Sequence, residues 1–156
     1  MRCTWLVAVA VACGPSNAEI KTARTAVYKS PPAELMSLAM EAAQESYQIG
    51  ERSGNEFSTV PRFYAATGEL ESAGAENTVM VRPGSVRVTF HVKIESDTGE
   101  RARVVVTPET YQTIEGSPMP RKLAPDDPYL PPFVLGRADT LALAIYEHAK
   151  AYVVPP

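Results

Sequence analysis

The side chains in this sequence with the means to do chemistry are few: two cysteines, two histidines, and a scatter of cations and acids. Nucleophilic hydrolysis needs a base beside the nucleophile and a third group to orient that base. His91 and His148 are the candidate bases. His148 falls on the apolar stripe of the closing helix, a position where a histidine packs or sits at the boundary rather than catalyses. His91 alternates with apolar neighbours and so lies on the wet face of a strand beside Arg87 and Lys93, with Arg101 and Arg103 contributed by the next strand. A stripe of cations suits an anion such as a lipid headgroup, a lipopolysaccharide phosphate or an acidic loop of another envelope protein. The same residues are the place an enzyme site would occupy. The bland alternatives are simple solvation, or cover by the glutamates of residues 65–77. The acid pairs Glu69/Glu71 and Asp126/Asp127 sit in loop sequence, without the apolar setting that raises a catalytic carboxyl. G-x-S-x-G, H-E-x-x-H, P-loop and dinucleotide-type glycine patterns are absent from the sequence, and four Cys and His residues in all are scant material for a zinc site. No cofactor is expected.

Cys13 has a different context. Met1 and Arg2 precede the unbroken apolar run Trp5–Ala12, after which the sequence turns polar. This is the layout of a bacterial export signal, and the run is far shorter than the ~20 residues that span a bilayer. Ala10-Val11-Ala12-Cys13 resembles the lipobox of bacterial lipoproteins, with Ala10 where the motif usually has Leu. The resemblance implies cleavage before Cys13, a diacylglyceryl group on its thiol and acylation of its new amino group. Three chains, at about 0.8 kcal/mol per buried CH₂, make an effectively permanent anchor. Gly14 in place of Asp implies the outer membrane. Cleavage after Ser16-Asn17-Ala18 is the alternative, and it releases a periplasmic chain without cysteine. Cys3 is lost with the signal either way, so no intramolecular disulfide forms.

The rest of the chain reads as one domain. Its 156 residues are 45% hydrophobic and 21% charged, with a formal charge of −3, which suits a single core and argues against nucleic acid as a partner. Residues 1–12 are the expected signal, 13–29 a tether without periodicity, and 30–156 an α+β domain. Ser30 followed by Pro31, Pro32 and Glu34 marks a helix start, and Leu35, Leu38, Ala39, Ala42 and Ala43 follow at helical spacing. Two short strands are expected at about 47–49 and 56–64, with Pro61 at an edge or bulge, then a loop over 65–77 and a strand at 78–81. Arg82-Pro83-Gly84-Ser85 fits a type II turn. Val86, Val88, Phe90, Val92 and Ile94 alternate with polar residues and predict a strand with one buried face. Pairing it with Ala102, Val104 and Val106 places Ile94 opposite Ala102, Glu95 opposite Arg101 and Lys93 opposite Arg103, with Asp97-Thr98-Gly99 as the loop. Pro108 is expected to end that strand. Seven of the 14 prolines fall between Pro108 and Pro132, where regular structure is not expected. A final helix is expected over 137–152.

The order helix, short strands, long hairpin, helix, with Tyr47-Gln48-Ile49, Phe57-Ser58-Thr59 and the Val86–Val106 hairpin, resembles the helix-grip domains of BamC-type outer-membrane lipoproteins. What the resemblance implies is an antiparallel sheet of four to five strands gripped by an N-terminal and a C-terminal helix. Those proteins carry two such domains and a long amino-terminal segment, so the architecture carries over and the assembly role does not.

Overall fold

A computed structural model of the chain describes residues 15–73, 82–97 and 100–155. Among the described residues the fold is α+β: three α-helices on an antiparallel sheet of seven strands. The strand expected at 78–81 and the turn conformation expected of Gly99 lie outside the described residues.

The sheet is organised around a hairpin, β5 (Val86–Asp97) and β6 (Arg101–Gln112). Val86, Val88, Phe90, Val92 and Ile94 of β5 are all buried, as their alternation requires. Along one edge of β5 lie two short strands in succession, β2 (Glu56–Thr59) and β3 (Arg62–Tyr64). Val60-Pro61 separates them, and at that gap the Thr59 hydroxyl accepts the N–H of Phe90 at 3.0 Å. β1 (Ile49–Ser53) pairs with β2, and β4 (Leu70–Ala73) pairs with β3, so part of the expected 65–77 loop is a strand. Gly84 has φ +85° and the Ser85 N–H donates to Arg82 O at 3.0 Å, the expected tight turn into β5.

The hairpin register differs from expectation by two residues. Ile94 faces Val104, Lys93 faces Val105, Glu95 faces Arg103 and Asp97 faces Arg101. A slip of two leaves every side chain on its own face, so the apolar pattern cannot choose between the registers. The cross-strand charges can. The expected pairing sets Lys93 against Arg103, whereas the observed one sets both arginines opposite acids.

Pro108 does not end β6. The N–H groups of Phe90 and Ile94 point towards β2, to Thr59 Oγ1 and Asn55 O, so Phe90 and its partner Pro108 form a pair without hydrogen bonds across the hairpin. The missing N–H of Pro108 therefore faces the outer edge of β6 and no ladder bond is lost. That edge is covered at one end by Tyr28, which exchanges two 2.9 Å bonds with Ala102, and at the other by β7 (Arg121–Leu123), a strand inside the proline-rich stretch.

Helix α2 (Pro32–Gln44) and helix α3 (Pro132–His148) pack on the buried face of the sheet. Both begin with Pro at the first helical position after a Pro N-cap, so α3 starts five residues before the expected point. Ser30 is not the N-cap of α2; its hydroxyl donates to the Glu34 carboxylate at 3.1 Å. A short 3₁₀ turn, Lys150–Tyr152, follows α3 and leads Val153 alongside Tyr28.

Residues 13–29 are expected to be a tether, and over their described part, 15–29, the structure departs furthest from the sequence reading. Asn17–Thr25 is a helix, α1, closed at its start by a capping box: Ser16 N–H donates to Glu19 Oε2 at 2.7 Å while Glu19 N–H donates to Ser16 Oγ at 3.3 Å. It packs on α3 and β6 through the buried Ala23 and pairs Arg24 with Asp139 of α3. A nine-residue helix that is polar on average and buries one alanine has too few apolar positions to announce it, and its sequence signal is the Ser16-x-x-Glu19 cap.

Candidate functional site

The wet face of β5 and β6 carries the cations singled out from sequence, and each has a distinct setting. His91 sits at the centre of the face. Its Nδ1 lies 3.1 Å from Glu56 Oε1 and its Nε2 3.4 Å from Glu109 Oε2. A neutral imidazole has a single N–H, so both bonds exist together only in the doubly protonated ring. Glu56 comes from β2, whose register sets it opposite Lys93. Glu109 comes from the part of β6 beyond Pro108 and is opposite Thr89.

Glu109 is the hub of the network. Lys122 of β7 donates to it at 2.8 Å, and Tyr111 donates at 3.0 Å. The Lys122 bond is the largest influence on its carboxyl and, with those of Tyr111 and His91 and against partial desolvation, brings its pKa down to about 2. The reciprocal bond holds the Lys122 ammonium above the ordinary lysine range. Arg87 stacks on Tyr111 with its guanidinium carbon 4.7 Å from the ring centroid. Lys93 bonds Glu95 at 3.1 Å. Arg101 and Arg103, at the tip of the hairpin, are exposed, and among the described residues no carboxylate bonds either one.

The expected cationic stripe is thus interleaved with acids at its centre and open to solvent near its tip. Its counter-charges come from Glu56 of β2, Glu95 of β5 and Glu109 of β6, and of the described glutamates in the 65–77 segment neither Glu69 nor Glu71 pairs with it. Within that segment Glu71 instead accepts a bond from the Ser85 hydroxyl at 2.8 Å.

Beside His91 the face opens into a cleft of about 650 Å³, bordered by Glu56, Glu109, Thr107, Pro108, Leu123 and Pro125. Its lining is mainly apolar, from Pro108, Leu123, Ala124 and Pro125, with Glu56, His91, Glu109 and Lys122 supplying polar groups. Glu56 and Glu109 approach opposite nitrogens of the imidazole, so the three side chains cannot converge on one metal ion. Among the described residues no group of three or more metal-ligating side chains does so.

The remaining sequence candidates fall elsewhere. His148 is not packed in the core: its Nε2 lies 2.9 Å from Glu45, linking the ends of α3 and α2 at the surface. Asp127 bonds Arg121 and the N–H of Tyr129, which orders the loop after β7. Cys13 lies outside the described residues. Glu56, Glu109 and Lys122 escape a reading of the sequence because each joins the network from a different strand, Glu56 and Glu109 at His91 and Lys122 at Glu109, and two of those placements depend on a strand continuing through or re-forming among prolines.

No protein-family model matches the chain, and no curated protein matches it in sequence.

Proposed function

We propose that this chain is a bacterial lipoprotein, anchored through Cys13 at the periplasmic face of the outer membrane, whose domain acts by binding through the open face of its central hairpin. The observation that carries the proposal is the run Trp5–Ala12 ending in Ala10-Val11-Ala12-Cys13, followed so closely by a capped helix. Cleavage after Ala18 would strip away Ser16 and with it both bonds of the capping box. Cleavage before Cys13 leaves α1 whole. That difference favours the lipidated form over the soluble one.

The anchor is then short. Cys13 to Ser16 is three residues, a reach of at most about 11 Å, so the domain rides close to the headgroups instead of on a long leash. The cleft beside His91 supplies a place to engage a partner or a headgroup.

A second reading, a soluble periplasmic enzyme using His91, is favoured by the opening of that side chain onto the cleft. In such a site carboxylates, not Arg and Lys, would be the immediate neighbours of the base. Fractionation separates the two. With an anchored protein, wild type stays in the membrane pellet through an alkaline carbonate wash and Cys13→Ala does not. Release of both into the periplasmic fraction would favour the enzyme.

A further inference from the structure

A second cleft, between α2 and α3 and floored by β3, is about 310 Å³ and is lined by Arg62, Arg137, Tyr47 and Thr140 among others. Both arginines are half-buried. Arg62 stacks on Tyr47 with its guanidinium carbon 4.4 Å from the ring centroid and donates to the Ser46 carbonyl just past the end of α2. Arg137 lies over Tyr64 at 4.5 Å and donates to the Gly68 carbonyl at 3.0 Å, while its Nε is buried with no hydrogen-bond partner among the described residues. Among the described residues no carboxylate pairs with either guanidinium. Burial pushes the Tyr47 hydroxyl to a higher pKa, with Tyr64 adding to the rise, and Arg137 and Arg62 both oppose it, so the two cations bear on one point in the cleft.

This is an unbalanced arrangement. A guanidinium taken partly out of water needs an anion or a full set of acceptors. Arg62 has one carbonyl, and Arg137 one carbonyl and the Tyr47 hydroxyl, which leaves most of the five N–H groups of each without an acceptor among the described residues. The planar fork of arginine fits carboxylates and phosphates. Two such charges match a dianion better than a monoanion, and Tyr47 adds a hydroxyl that can donate to a further oxygen.

We infer that the cleft between α2 and α3 is a binding site for a phosphoryl group, a phosphomonoester or terminal phosphate held between Arg62 and Arg137. The cations of the wet face suit an anion too, but this pair lies on the other side of the sheet, and the inference holds whether or not Cys13 carries lipid.

The test uses the purified full-length protein and three probes: inorganic phosphate, glycerol 3-phosphate, and vesicles of phosphatidylcholine with and without phosphatidic acid. Binding is read by titration calorimetry and by shifts of the arginine side-chain N–H signals in NMR. Binding of the soluble probes marks a free phosphate ester as the source, and binding of phosphatidic acid vesicles alone marks a lipid headgroup; either supports the site. Arg62→Gln should weaken binding about tenfold or more, as expected for a lost charge-assisted bond. The thermal midpoint of Arg62→Gln, read beside that of wild type, separates a lost phosphate contact from a folding defect in the arginine variant. No binding of any probe, binding unaffected by Arg62→Gln, or acetate bound as tightly as phosphate would overturn the assignment.

Discussion

Removing residues 13–18 tests the link between the export signal and the fold. A chain beginning at Glu19 lacks the Ser16 side chain that caps α1, the 3.1 Å bond from Ile20 N–H to Ser16 O, and the return bond from Ser16 N–H to Glu19. Loss of an N-cap costs about 1 kcal/mol. The new α-amino group adds a positive charge at the positive end of the helix dipole, a further penalty of about 0.5 kcal/mol. The sum, about 1.5 kcal/mol, corresponds to a fall in Tm of about 5 °C for a domain of this size. The comparison is between a chain that starts at position 13 and carries Cys13→Ser, which keeps the free thiol out of the measurement, and a chain that starts at Glu19. Both are followed by circular dichroism on heating and in urea. The slope of the urea transition should be nearly unchanged, because little core surface is lost. Equal midpoints would refute the capping argument, and a more stable Glu19 form would reverse it.

Other consequences follow from single residues. Glu109→Gln keeps the shape of the side chain and removes its charge; because Glu109 is partly exposed and screened, about 1 kcal/mol of stability should be lost at pH 7. The folded-state pKa of about 2 lies below the ordinary 4.5, so the advantage of wild type is full above pH 4.5 and vanishes as pH falls towards 2. Urea titrations of both proteins across that range check it, and a gap that persists at pH 2 would contradict the network. Pro108→Val should alter stability by less than about 0.5 kcal/mol, since no ladder bond depends on that nitrogen, but it adds a free donor to an open strand edge and should speed aggregation in light scattering. Phe90 is 1% exposed and meets Tyr47 edge-on at 5.3 Å. Phe90→Ala should cost about 3–5 kcal/mol in chemical denaturation, and a loss under about 1 kcal/mol would place Phe90 outside the core.

Periodic segments are legible in the sequence. The run from Val86 to Glu95 announces a half-buried strand, and Leu35 to Ala43 a helix, because each repeats its apolar residues at the spacing of its own backbone. What escapes is set by partners distant in the chain. α1 has one buried side chain, and its fixed geometry comes from a cap and from Arg24 meeting Asp139. β7 has three residues and exists because the outer edge of β6 accepts it. The hairpin register is invisible to the apolar pattern, and the like-charge clash of Lys93 with Arg103 is the sign that counts against the expected pairing. For the site, His91 and the cations can be placed on a face, since a face follows from alternation. Glu56, Glu109 and Lys122 cannot, because register and strand order decide which acids stand beside which bases.

The central claim is the anchor at Cys13. Intact mass of the protein extracted from membranes of bacteria that express the full chain decides it. An anchored protein yields a chain that begins at Cys13 and carries diacylglyceryl and amide-linked acyl mass on that residue. A chain that begins at Glu19 with no added mass would contradict it.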